Sequence, residues 1–227
     1  HQFLKPLKRT KDYPIRIPKI WLYKMIGSKQ ISTSEEKEIA RNLPYKRAKV
    51  FLESRAFIRE CLSNLLGIKP LEIPLQAYPG EIPKIPKEIG NISISHTKDT
   101  LIVIWDENRI GIDMEKTNRN FNYKSLAEKY FRKNIEMIDK SKINKNYVLK
   151  NWSAVEAAIK WDGGKLSKDL KNWKYLKKKG KIIHENKKIE LQLNQFEYKD
   201  WTISIAMENK TYQNDQFVIC DYGNNYF

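Results

Sequence analysis

The hydrophobic period of this chain changes twice, and that change limits the possible folds more than any single motif. From about Tyr45 to Leu66, the residues Phe51, Phe57, Ile58, Cys61, Leu62, Leu65 and Leu66 recur at helical spacing, which lines one face of a helix. Gly67 follows, and glycine closes a helix in the left-handed conformation without a Cβ clash. At Asn91 the period drops to two. Asn91–Ser95 (NISIS), Leu101–Trp105 (LIVIW) and Arg109–Glu115 (RIGIDME) read as three strands, with Asp106-Glu107-Asn108 as a turn. Helical spacing returns over about Tyr123–Phe131, near Ile135–Ser141, and most clearly over about Asn146–Trp161, which stops at Gly163-Gly164. Short strands are expected around 181–185, 188–194, 199–207 and 216–220. Strand, helix, three strands, helices and a last set of strands is an α+β order. It divides just after residue 115 into two α+β halves, 1–115 and 116–227, with no sequence identity between them.

The flanking segments fit this order. Residues 1–31 combine Pro14 and Pro18 with Ile15, Ile17, Ile20, Trp21 and Leu22, which reads as extended chain and a strand. Ser32/Glu35 and Thr33/Glu36 are overlapping capping boxes, so a short helix should follow and end near Pro44. Pro70, Pro74, Pro79, Pro83 and Pro86 make 68–90 a loop with short edge strands at most. The 227 residues allow one or two domains, and 41% hydrophobic with 11% aromatic residues is enough for a packed core. No apolar run approaches the ~18 residues of a membrane span, and no apolar signal core is visible near His1. Cys61 and Cys220 make neither a disulfide framework nor a metal-ligand spacing. A cytoplasmic location and no membrane contact are therefore expected.

The formal net charge is +16, which predicts an anionic partner without specifying it. Only nine of the 43 basic residues are arginine, whereas base readers favour arginine forks. No zinc-finger, homeodomain or RNP-type signature is present, so nucleic acid is not the expected partner. The densest basic run, Lys171–Lys181, reads as a solvated hairpin edge. P-loop, GxGxxG, GxSxG and Cys/His patterns are all missing from the sequence.

Three groups of residues carry possible chemistry. Asp113 and Glu115 stand two apart on a strand and share a face. Adjacent carboxylates repel, and a hard divalent cation is a common remedy; two solvated acids at a strand end would also fit. Gly111 lies on the same face, where its missing side chain would let a ligand approach the backbone. Trp152, Glu156 and Lys160, at i, i+4 and i+8, share one helix face. Glu156 suits a metal ligand or general base and Lys160 a phosphate contact, and the pair equally suits an ordinary surface ion pair. Ser95-His96 ends a strand before Thr97-Lys98-Asp99 and suits phosphate contact.

In order and spacing, Asn91 through His96 (NISISH), Ile110 through Lys116 (IGIDMEK), and Trp152 through Lys160 (WSAVEAAIK) with Gly163 resemble the Sfp-type 4′-phosphopantetheinyl transferases. That family carries (N/S)-I-S-H, then G-I-D-x-E, then W-(S/T)-x-K-E-(A/S)-x-x-K-x-x-G. Glu35-Glu36-Lys37 and the stretch Ser54 through Arg59 are similar to its first helical region, so the likeness spans roughly 30–206. The resemblance implies a pseudo-dimer of two similar α+β halves with the active site in the cleft between them, and a monomer. It implies Mg²⁺-dependent transfer of the phosphopantetheine arm of coenzyme A to a serine of an apo acyl or peptidyl carrier protein, releasing adenosine 3′,5′-bisphosphate. It assigns Asp113, Glu115 and Glu156 to Mg²⁺, and Glu156 to the serine proton. Lys160 and His96 would meet the pyrophosphate and adenosine phosphates, and Ser95, Lys37, Arg41 and Arg47 the 3′-phosphate side.

Three positions depart from the family pattern. Val155 stands where the family has lysine, which implies one fewer positive charge near the phosphates. Residues 80–83 (GEIP) replace a G-K-P, with Lys84 displaced in register. After Phe131 an expected acid meets Ile135, with Glu136 one place late. The alternative reading is an inactive homologue that binds coenzyme A or a carrier protein.

Overall fold

The computed structural model of the chain describes residues 17–27, 29–131, 140–164, 169–208 and 212–222. The expected helical pattern near Ile135–Ser141 and the Ile135/Glu136 departure fall largely or wholly outside them; a short 3₁₀ turn covers Lys140–Lys142.

The Thr33/Glu36 capping box forms: Glu36 N–H donates to Thr33 Oγ1 at 3.1 Å, and Thr33 N–H to Glu36 Oε2 at 2.9 Å. It starts α1 (Ser34–Arg41). Helix α2 (Tyr45–Leu66) begins after Pro44 and ends at Gly67, left-handed with φ 68°. Its apolar face buries Phe57, Ile58, Cys61 and Leu62 against Trp21, Tyr23, Leu101, Val103 and Trp105. Those partners lie on one face of a sheet made by β1 (Lys19–Lys24), β2 (Asn91–His96), β3 (Thr100–Asp106) and β9 (Ile219–Asp221), in the order β2-β3-β1-β9. Strand β9 runs parallel to β1, and the other two pairings are antiparallel.

The second sheet is antiparallel throughout, in the order β4-β8-β7-β6-β5. Its strands are β4 (Ile110–Lys116), β5 (Trp173–Leu176), β6 (Lys181–His184), β7 (Ile189–Tyr198) and β8 (Trp201–Met207). Helix α4 (Lys145–Asp162) covers one face, packing Val155, Ala158 and Ile159 with Leu191, Leu193 and Ala206, beside the short α3 (Tyr123–Tyr130). The opposite faces of the two sheets share a core of Ile20, Leu22, Ile102 and Ile104 with Ile112, Met114, Ile203 and Ile205. Each sheet therefore has a long helix on its outer face and the other sheet on its inner face, and the protein is α+β. Strand pairing crosses residue 115: β4 joins the sheet of the later strands, and β9 joins the first sheet.

The basic run Lys171–Lys181 contains β5, the turn Lys177–Lys179 and the start of β6, with β5 outermost in its sheet. Where β2 and β4 run side by side, serine hydroxyls replace the backbone ladder. Ile112 N–H donates to Ser93 Oγ at 3.0 Å, and Met114 N–H donates to Ser95 Oγ at 3.1 Å. This seam between the sheets positions the site.

Candidate functional site

Alternation along β4 sends Ile112 and Met114 into the inter-sheet core and leaves Gly111, Asp113 and Glu115 on the α4 side. Gly111 decides how close α4 can come. A Cβ there would lie 2.0 Å from Ala157 O and 2.6 Å from Trp161 N. The approach that glycine permits is therefore made by the backbone of α4, which corrects the expectation of a ligand at that point. Close packing brings Glu156 and Lys160, one turn apart on α4, over Asp113. Ligand oxygens of Asp113, Glu115 and Glu156 come within 4.8 Å of one another.

The electrostatics of this cluster are unbalanced. Lys160 Nζ lies 3.0 Å from Asp113 Oδ1 and 3.9 Å from Glu156 Oε2. Arg119 Nη1 lies 2.9 Å from Glu115 Oε2. Three acids thus meet one lysine inside and one half-exposed arginine at the rim. Burial alone would raise the Asp113 carboxyl, but the Lys160 ammonium and the hydrogen bonds around it hold it below the ordinary carboxylate range. Burial pushes Glu115 up, and the Asp113 charge adds to this. Burial and then the Asp113 charge push Glu156 up to about 10, so it holds its proton at neutral pH when no cation is bound. Asp113 is 1% exposed, and with Glu156 ionised its Oδ2 has no hydrogen-bond donor among the described residues. A buried carboxylate oxygen without a partner is costly. An orphaned oxygen, converging carboxylates and excess negative charge fit a hard divalent cation bound through oxygen. Asp113, Glu115 and Glu156 are the residues that can hold it.

The other expected site residues are placed as follows. Lys160 joins the cluster. Ser95 is buried, and its hydroxyl accepts from Met114 N–H and donates to Asp113 Oδ1 at 3.3 Å, so it is engaged inside the protein rather than presented to a ligand. His96 is exposed at the end of β2, with Nδ1 3.3 Å from Thr97 O. Lys37, Arg41 and Arg47 are exposed on α1 and the first turn of α2, and Arg41 pairs with Glu38 at 2.6 Å. None of these three is brought into the cluster by a hydrogen bond or ion pair among the described residues. Lys84 is exposed and bridges to Gln76 by backbone. Val155 is fully buried in the α4 core. Its side chain packs in that core, away from the acid cluster.

Two participants had weak signals in the sequence. Arg119, four residues after Glu115, follows the strand and so lacks a helical register to mark it. Ser204 lies opposite Asp113 in the β4–β8 ladder and shares a 2.9 Å hydrogen bond with Ser153 of α4. Only the fold makes these two serines neighbours.

Fold and site together define an α+β protein with a buried three-carboxylate centre between a strand and a helix. No family model matches the chain, and no curated protein matches it. No helix among the described residues is long and apolar enough to cross a membrane.

Proposed function

We propose that this protein is an Mg²⁺-dependent 4′-phosphopantetheinyl transferase, a pseudo-dimer of two α+β halves that takes coenzyme A in the cleft between them. One observation carries the reading. The acids of the two motifs that resemble that family, Asp113 and Glu115 on one strand and Glu156 on a distant helix, converge to within 4.8 Å, with Lys160 on Asp113.

In this reading Asp113, Glu115 and Glu156 hold Mg²⁺, and Ser95 keeps Asp113 in place. When bound, the cation supplies the charge that offsets the growing negative charge of a pyrophosphate under attack. Lys160 turns its ammonium to the same phosphates, and exposed His96 offers a further contact at the end of β2. Lys37, Arg41 and Arg47 offer cations for the adenosine 3′-phosphate. Glu156 takes the proton from the carrier serine, directly or through water. The serine oxygen forms a bond to the phosphorus of the pantetheine side as the bond to the bridging oxygen breaks. Adenosine 3′,5′-bisphosphate leaves. The net charge of +16 favours encounter with an acidic carrier domain.

Incubation with coenzyme A, Mg²⁺ and a panel of apo carrier proteins, followed by mass measurement of the carrier, tests the reading. A gain of one phosphopantetheine is expected on at least one carrier. No gain on any of them, beside a working control enzyme, overturns it.

A further inference from the structure

Strand β7 outruns its neighbour. Its first residues ladder with β6, and Leu193 N–H still reaches Gly180 O at 2.8 Å. There the chain turns away through Lys177–Lys179 and Gly180, left-handed at φ 58°. Backbone groups of an antiparallel strand alternate in direction, so Gln195 and Glu197 point to the same side as Leu193. On that side Gln195 C=O accepts from Asn214 Nδ2 at 3.1 Å. Among the described residues nothing pairs with the N–H groups of Gln195 and Glu197, or with the C=O groups of Leu193 and Glu197.

This bare edge is walled on both faces. A groove of about 680 Å³ runs along it. On the α4 side stand Tyr175 and Lys150, whose C=O accepts from Gln195 Nε2 at 2.8 Å. On the other side stand Tyr212 and Asn214, held by Asn194 Nδ2 at 2.9 Å each. Asn214 has already committed its own amide nitrogen to Gln195, so Asn194 must be the donor between them. That leaves Asn194 Oδ1, on a side chain of a residue 6% exposed, buried without a partner among the described residues. Lys150 and Lys181 face Glu197 and Glu190. Lys177 and Lys179, both exposed at the Gly180 end, have no ion pair among the described residues.

Exposed strand edges are normally blunted, and those left open are used for strand addition. We propose that this slot binds an extended, acidic segment of a partner protein as an added strand beside Leu193–Tyr198. Backbone pairing would use the N–H groups of Gln195 and Glu197, and the acidic end would lie against Lys177 and Lys179. The bare stretch from Leu193 to Glu197 is ~13 Å long at the rise of an antiparallel strand, room for one short added strand. The proposal is independent of the metal centre.

The test uses the whole protein and a labelled probe peptide of alternating threonine and valine ending in three glutamates. In the free protein the amides of Gln195 and Glu197 should exchange with solvent much faster than those of Asn194 and Phe196, which ladder with β8. The probe should slow both amides at least tenfold. The double variant Lys177→Glu, Lys179→Glu should weaken the probe about tenfold, and a probe ending in three lysines should not bind. Equal protection of all four amides in the free protein overturns the proposal. So does the absence of probe binding at millimolar concentration, binding that leaves exchange unchanged, or binding indifferent to the double variant. Protection that rises with protein concentration alone would make a second copy of this chain the occupant and equally overturn it.

Discussion

Two clusters of buried charge among the described residues are handled in opposite ways. Under α1 and α2, Arg59 gives Nε and Nη2 to Glu36 Oε1 at 2.9 and 2.7 Å, and Nη1 to the C=O groups of Pro70 and Ile73. Glu36 Oε2 holds the N-terminus of α1, and Glu53 Oε1 nearby accepts from Tyr23 Oη and the N–H groups of Ile26 and Gly27. There the Arg59 cation meets the Glu36 anion, and Glu53 is satisfied by neutral donors. Between β4 and α4, three carboxylates share Lys160 and a rim arginine, and Glu156 is pushed toward its neutral form; once it ionises, one oxygen of Asp113 has no donor among the described residues. A matched buried pair fixes one helix to another. An unmatched cluster retains a deficit that a cation from solution can fill.

The largest expected effect breaks the matched side. Arg59→Met leaves Glu36 buried without its cation and should cost about 3–5 kcal/mol, read as a lower denaturant midpoint. The added stability given by Mg²⁺ should be unaltered in that variant, because the metal residues are untouched. A lost Mg²⁺ response would show that the two regions are not separate.

Breaking the unmatched side should cost activity far more than stability. Glu156→Gln removes no charge from the metal-free protein, where Glu156 already holds its proton, so that variant should stay folded with its stability nearly unchanged; Asp113→Asn removes the charge that Lys160 pairs with and should cost some stability while leaving the protein folded. Carrier modification should fall by at least about 100-fold, measured as initial rate by mass spectrometry. Near-full activity in either variant would place the metal site elsewhere.

Next in size is Gly111→Ala. Its Cβ would sit 2.0 Å from Ala157 O, backbone that cannot rotate away, so α4 must move off β4. About 1–3 kcal/mol of stability should go, and the Mg²⁺-dependent rise in melting temperature should shrink with it. A variant with wild-type stability and metal response would mean that the close approach does not set the acid geometry.

Gly111 also shows where reading the sequence stops. The bounds of α2 and the capping box at Thr33 were legible because helix periodicity, proline and glycine act locally. The pairing of Asp113 with Glu115 followed from strand alternation. Which body fills the space over Gly111 was not legible, since a helix 46 residues later in the chain fills it. For the same reason Ser95 resembled a ligand contact in a strand-end motif, whereas its hydroxyl joins two sheets that only the fold brings together. Val155 could be matched to a family position, but its direction depends on how α4 rolls against β8. Strand β9 was expected near its place in the chain, yet nothing local signals that it pairs with β1.

A last comparison of the two regions runs through pH. Glu156 is raised from 4.5 to about 10 in the metal-free protein, so between those values the folded state holds a proton that the unfolded chain has released. Stability must then fall as pH rises, by at most about 1.4 kcal/mol per pH unit for one proton. Asp113, held low, acts in the opposite sense and only in acid: its contribution is present above the ordinary aspartate range and lost as pH falls below it. Cation binding must expel the Glu156 proton, so the rise in melting temperature given by Mg²⁺ should be larger at pH 8.5 than at pH 6.5. Glu156→Gln has no such proton to lose and should show a flatter metal-free stability profile across this range. Arg59→Met should keep the wild-type slope while lying below it at every pH. A Glu156→Gln profile as steep as wild type would assign the titration to another group and remove the electrostatic distinction between the two regions.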